Sequence, residues 1–252
     1  MRILRWTDLG SHRVLPGPVA ATIGVFDGVH RGHQALLEEL VRDPVSGGTS
    51  LVVTFRENPK KALKSRFPGD LMTWPEKERA LSDAGVGVAV IIDFSPSFST
   101  MSGRDFFLHL KKSFVFSKLV LGWNFSFGKD SATTAADLGW LADAETRLMI
   151  LPPFRVDGQV VSSSAVRQAI AEGNMTRARN LLGRPYVFPL EPPFRWEGGR
   201  ATAFRSAAGK ILPPPGQYPV RLDGRQTVLT VSDESLTWES PPGIDVHEVV
   251  FE

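Results

Sequence analysis

The 252-residue chain carries 29 lysines and arginines against 27 aspartates and glutamates, and 42% of its residues are hydrophobic. This is the balance of an ordinary folded protein, not of a disordered, collagenous or coiled-coil one. The absence of cysteine excludes disulfide frameworks, thiolate zinc sites and cysteine nucleophiles together.

At the amino terminus Asp8 interrupts the chain before a signal-type apolar region can form, and no stretch approaches the ~18 apolar residues of a membrane span. A cytoplasmic protein with no membrane partner is the expectation. Residues 19–26 form a short apolar run ending in a glycine-containing turn, and residues 32–41 then show helical spacing through Ala35, Leu36, Leu37 and Leu40. Residues 50–55 (SLVVTF) predict a second buried strand, and residues 75–84 a helix with proline near its start. A third strand is predicted over 86–94, a helix capped by Ser102 and carrying Phe106, Phe107 and Leu110 follows, and strands at 118–121 and 147–151 complete the series. Strands alternating with helices argue an α/β domain built on a parallel sheet with right-handed crossovers, which places ligands beyond the carboxyl ends of its strands.

The remainder differs in composition. Residues 186–252 hold nine of the 19 prolines and nine acidic residues against six basic, which leaves 23 basic and 18 acidic in residues 1–185. The basic part is the better host for a phosphorylated ligand. A boundary is expected near Pro185, with a small β-rich, Pro-rich domain after it whose strands include 226–231 and 245–251. Lys60, Lys61, Lys64 and Arg66 form one basic cluster, which suits a solvated or phosphate-facing loop better than a nucleic-acid groove reader.

The loop after the first strand is the most informative segment: residues 24–33 read GVFDGVHRGH. Gly24 and Gly28 allow close backbone approach to a ligand, and the helix that follows offers unpaired amides and the positive end of its dipole. Phosphate is the natural guest. His30 and His33, three apart, can face one side of a first helical turn and donate to phosphate oxygens. An isolated H-x-x-H equally fits one histidine capping the turn beside another on the surface. A zinc site lacks a third ligand in helical register, and no G-x-x-x-x-G-K-[ST] is present, which excludes a P-loop enzyme.

GVFDGVHRGHQALL resembles the H-x-G-H signature of the nucleotidylyltransferase superfamily, in the form carried by prokaryotic FAD synthetases, the adenylyltransferase half of bifunctional riboflavin kinase/FMN adenylyltransferases. Further segments are similar in the same order: VVTFRENPKKAL at 52–63, the glutamate and lysine (Glu76 and Lys77) of PEKERAL at 75–81, LVLGWNFSFGKD at 119–130, VSSSAVRQAI at 161–170 and ARNLLGRPY at 178–186. The resemblance implies a Rossmann-like nucleotidylyltransferase domain over residues 1–185 and the reaction of FMN with ATP, assisted by Mg²⁺, to give FAD and pyrophosphate. It implies that His30, His33 and Arg167 serve catalysis. Gly24, Phe26, Asp27, Gly28 and Gly32 would cradle the nucleotide together with Ser162, Ser163 and Ser164, which open a helix. Phe55, Asn58, Pro59, Asn124 and Phe125 would lie by the flavin, with Phe127 a core residue. The metal ligands and the oligomeric state are not fixed by any of these motifs.

Three positions depart from the family pattern. Asn58 stands where many members have the histidine of F-x-P-H-P, Asn124 where aspartate is commoner, and Ser164 where S-S-T is usual; each keeps hydrogen-bonding capacity. Residues 186–252 contain no P-T-A-N, the segment that supplies metal and ATP contacts in the family's riboflavin kinase barrel, and are shorter than that whole module. A degenerate barrel without riboflavin kinase activity is the expectation. The alternatives are a flavin- or nucleotide-binding protein without turnover, and a nucleotidylyltransferase acting on another phosphorylated acceptor; intact His30, His33, Ser163 and Arg167 argue against the first, and the FDGVHRGH and GWNFSFG forms against the second.

Overall fold

The computed structural model describes residues 1–10, 12–42, 48–63, 66–204, 209–241, 243 and 246–252. Of the positions singled out above, Lys64 and Asp245 lie outside the described residues. By compactness the chain divides into two units, Met1–Ser65 with Trp74–Phe154, and Arg66–Thr73 with Arg155–Glu252.

The elements of the first unit, in chain order, are β1 (Arg2–Arg5), β2 (Pro18–Ile23), α1 (Arg31–Arg42), β3 (Thr49–Phe55), α2 (Pro59–Leu63), α3 (Trp74–Asp83), β4 (Val88–Ile92), α4 (Pro96–Ser99), α5 (Gly103–Ser113) and β5 (Val115–Gly122). They are followed by the two-residue strands β6 (Ser126–Phe127) and β7 (Thr133–Thr134), then α6 (Ala135–Leu141) and β8 (Arg147–Leu151). Among the described residues six strands form one sheet in the order β1-β4-β3-β2-β5-β8, every pairing parallel. All five residues of β4, all of β2 but Pro18, and all but the two end residues of β3 are buried, as continuous apolar strands covered on both faces should be. Ser102 caps α5 through its side chain, which accepts the Asp105 N–H at 3.1 Å. The edge strand β1 escapes sequence reading because Leu4 alone among its four residues is buried.

From β2 the chain runs to β3 and β4 on one side, then returns to place β5 on the other. The strand order therefore reverses between β2 and β5, and the crevice beyond their carboxyl ends is where an open α/β sheet holds its ligand.

The second unit contains a hairpin of β9 (Arg155–Val156) and β10 (Gln159–Val160), helices α7 (Ser163–Ala171) and α8 (Met175–Leu182), and an antiparallel sheet. Its strands are β11 (Tyr186–Pro189), β12 (Arg195–Glu197), β13 (Arg200–Phe204), β14 (Gly216–Leu222), β15 (Arg225–Val231), β16 (Ser235–Glu239) and β17 (Glu248–Phe251), ordered β11-β17-β14-β15-β16-β13-β12 among the described residues. The compact division falls earlier than Pro185. Val166, Ile170, Ala178 and Leu182 of α7 and α8 are buried in one apolar cluster with Tyr186, Phe188, Val220 and Phe251 of the antiparallel sheet. Helical periodicity shows that these helices have an apolar face, but it does not say which sheet that face covers. No described helix is long and apolar enough to cross a membrane.

Candidate active site

Between β2 and α1 the chain turns tightly: Phe26 (φ 52°), Gly28 (φ 81°) and Val29 (φ 34°) all lie in left-handed backbone. Glycine adopts this freely. For a phenylalanine and a β-branched valine it is strained, and such strain persists only where the surroundings over-determine it. Here they do. Phe26 and Val29 are buried, and the Val29 carbonyl accepts Gln34 Nε2 at 2.8 Å. The Val25 carbonyl accepts Thr54 Oγ1 at 3.1 Å and Lys77 Nζ at 3.0 Å, while Gly24 N donates to the Val53 carbonyl at 3.0 Å. Phe26 is 1% exposed, so backbone, not ring, is what it can offer a ligand.

His30 passes the turn into the helix. Its Nδ1 accepts the His33 backbone N–H at 3.3 Å and its carbonyl accepts the Gln34 N–H at 2.9 Å, the bonding of a helix cap. An imidazole that accepts at Nδ1 carries its proton, when neutral, on Nε2. The His33 ring stacks on it with centroids 3.7 Å apart and planes 14° apart, and lies 5.0 Å from the Phe26 ring. Burial holds the His33 imidazole well below the usual histidine pKa, and positive charge at His30 and Lys77 lowers it further. His33 is therefore neutral at pH 7. Its Nδ1 is buried without a hydrogen-bond partner among the described residues. Gly32 makes the stack possible: a Cβ there would lie 3.3 Å from both Cε1 and Nδ1 of His30 and 3.6 Å from Phe154 Cβ. The H-x-x-H pair thus includes a capping histidine, but its second member is packed on the first, not placed on the surface.

The loops after β3 and β5 hold the residues expected by the flavin. Phe55 ends β3 and meets Phe94 and Phe98 edge-on at 6.0 and 5.8 Å. Asn58 is buried; its Nδ2 donates to Asp27 Oδ2 at 3.2 Å and its Oδ1 accepts the Lys60 N–H at 3.1 Å. The amide that replaces an imidazole at this position therefore ties the third-strand loop to the H-x-G-H loop. Pro59 opens α2, and beside it lies a cleft of about 390 Å³ lined by Arg56, Asn58, Lys61, Asp93 and Phe94 among others. Asn124 is exposed in the loop after β5. Phe125 and Phe127 are half-buried against the core of the first unit, their rings 5.1 Å apart, and Phe127 meets Phe106 edge-on at 5.3 Å.

Ser162, Ser163, Ser164 and Arg167 belong to the second unit. Ser162 caps α7, its Oγ accepting the Ala165 N–H at 3.1 Å, Ser163 is half-buried and Ser164 is exposed. Arg167 is 7% exposed; its Nε donates to the Gly69 carbonyl at 2.8 Å and its guanidinium lies 4.9 Å over the Phe67 ring. The resemblance implies a catalytic role for Arg167. In the fold the side chain also anchors the Arg66–Thr73 segment to α7.

Lys77, Thr54 and Gln34 support the first loop; each lies in a segment that resembles the family, but that resemblance does not imply this task for them. One signal was available for Lys77: it shares a helix face with the buried Leu81 at i+4, where an apolar residue is expected.

Residues 14–165 match the family model described as FAD synthetase. The chain is similar to the bifunctional riboflavin kinase/FMN adenylyltransferase of Escherichia coli K12, 30% identical over 242 residues that cover 89% of this chain and 74% of that protein. Its counterpart in Listeria monocytogenes is 26% identical over 226 residues, 86% of this chain and 69% of that protein. A crystal structure described as a macrolide-efflux protein from Streptococcus pneumoniae superposes with a TM-score of 0.82 at 24% identity, over 100% of this chain and 90% of that one. At that identity the superposition speaks for the fold alone.

Proposed function

Because the chain belongs to the FAD synthetase family, as the match over residues 14–165 and the relatives covering most of its length establish, we propose that it transfers the adenylyl group of ATP to FMN. A phosphate oxygen of FMN attacks the α-phosphorus, the bond to the bridging oxygen of the β-phosphate breaks, and FAD and pyrophosphate leave. Such a transfer needs no protein nucleophile; it needs alignment and donors where charge accumulates on the phosphates.

The observation that carries the assignment of the site is the stacked, capped pair His30 and His33 at the amino terminus of α1, beyond the point where the strand order reverses. We assign both imidazoles to the ATP phosphates as N–H donors, His33 in its neutral form. The backbone of Gly24, Phe26, Asp27, Gly28 and Gly32 approaches the same phosphates. Ser162, Ser163, Ser164 and Arg167 are assigned to the pyrophosphate end on the strength of their motif, and Phe55, Asn58, Pro59, Asn124 and Phe125 to FMN. In this reading residues 1–185 carry the transferase and residues 186–252, without P-T-A-N, carry no riboflavin kinase activity.

The donor set suits a Mg²⁺ brought in by the triphosphate. Among the described residues no three His, Cys, Asp or Glu side chains converge, whereas one carboxylate with phosphate oxygens and water is a common magnesium environment. Asp27, 3% exposed on the H-x-G-H loop, is the carboxylate that would hold it. When bound, the ion neutralises charge developing on the departing pyrophosphate. We place the enzyme in the cytoplasm, which its cysteine-free sequence permits.

The test is incubation of the purified chain with ATP, Mg²⁺ and either FMN or riboflavin, followed by chromatography of the flavins. FMN should give FAD, and riboflavin should give no FMN. Binding of FMN and ATP without FAD formation would replace the transferase by a binding protein, and FMN formed from riboflavin would restore a kinase role to residues 186–252.

A further inference from the structure

Lys77 is a charged residue on the buried face of a helix. It is 3% exposed on α3, and its ammonium donates to the carbonyls of Val25 at 3.0 Å and Phe55 at 2.9 Å. Taking an ammonium out of water is costly, and its hydrogen bonds to backbone carbonyls offset that cost only in part. Val25 stands two residues past the end of β2, at the entry to the strained turn that presents His30, and Phe55 is the last residue of β3. One cation therefore bonds the carboxyl ends of both strands, from which the phosphate-side and flavin-side loops depart. The Val25 carbonyl also accepts Thr54 Oγ1 at 3.1 Å, so the same oxygen is held from two directions. The charge reaches the histidine pair as well, being one cause of the lowered His33 pKa.

We infer that Lys77 is a positioning residue for adenylyl transfer: its ammonium fixes the register between the loop that carries His30 and His33 and the loop that carries Asn58, and so sets the attacking FMN phosphate against the α-phosphorus. The inference rests on the transferase reading above and adds a residue to it. A displacement of about 1 Å between reacting groups can cost on the order of a hundredfold in rate while each substrate still binds its own loop.

The experiment compares wild type, Lys77→Met and Lys77→Cys in FAD formation and in thermal melting. Lys77→Met loses the ammonium that bonds two buried carbonyls and should stay folded with its melting temperature lowered by up to about 10 °C, while kcat, measured well below melting, falls at least about tenfold and KM for ATP and FMN changes less than about threefold. Because the chain has no cysteine of its own, Lys77→Cys can be alkylated in denaturant at that one position and refolded, beside wild type carried through the same cycle. Aminoethylation, which rebuilds an ammonium at lysine length, should recover activity, and propylation, which restores length without charge, should not. Wild-type turnover in Lys77→Met, a loss of activity that tracks loss of folding, or equal rescue by the propyl group would each overturn the inference. If wild type itself forms no FAD, the transferase reading fails instead, and the two failures are told apart by that one control.

Discussion

Replacing Gly32 by alanine should separate catalysis from folding. The new Cβ would sit 3.3 Å from Cε1 and Nδ1 of His30, closer than ordinary van der Waals contact, so the imidazole must shift by a few tenths of an ångström. Its Nδ1 is the acceptor that caps α1 through the His33 N–H at 3.3 Å. A ring that moves therefore loosens the cap and misdirects its other nitrogen together. On the folding side, alanine is favoured over glycine inside a helix by about 0.5–1 kcal/mol, which offsets part of the crowding, so the unfolding free energy should change by less than about 1 kcal/mol. On the catalytic side, a hydrogen bond to a charged group contributes about 1.5–3 kcal/mol. Partial misalignment of one such donor should lower kcat about ten- to a hundredfold, since 1.36 kcal/mol corresponds to a factor of ten. Initial rates of FAD formation at saturating FMN and ATP, set beside a urea titration of the same preparation, provide both numbers. Wild-type kcat in Gly32→Ala would refute the reasoning, because it would mean that the position of the His30 ring does not matter to the reaction.

Two further outcomes follow from the same geometry. Below pH 6.5 the unfolded chain takes up a proton at His33 that the folded chain refuses, because burial, then the charges of His30 and Lys77, hold its folded pKa well below the usual value. The unfolded state then binds more protons, so stability falls as pH drops from about 6.5, by at most about 1.4 kcal/mol per pH unit from this group. The urea midpoint should fall less between pH 7.5 and 5.5 in His33→Asn than in wild type; equal losses would show that His33 is not held neutral. Arg167→Met, which keeps the alkyl stem but removes the donor to Gly69 and the cation over Phe67, should cost about 1.5–3 kcal/mol of stability, and an unchanged midpoint would contradict the anchoring of the Arg66–Thr73 segment.

The sequence by itself determined the buried central strands of the parallel sheet and singled out the H-x-G-H loop. Buried parallel strands announce themselves as apolar runs, because both faces are covered: the β3, β4 and β5 runs are legible without any partner in view. The H-x-G-H turn is legible too, since glycines, a helix start and two histidines three apart are a chemical statement made by neighbours in the chain. What the tertiary structure decided depends on partners remote in sequence. Periodicity shows that α7 and α8 have apolar faces, yet only the packed cluster with β11, β14 and β17 assigns them to the second unit. Arg167 is an arginine near a serine cap in sequence, and becomes the anchor of a segment almost a hundred residues earlier in the fold. Lys77 looks like one charge among several in PEKERAL until the ends of β2 and β3 come together around it. A hydrogen bond needs distance and direction, and neither is a property of composition or spacing when donor and acceptor belong to different elements.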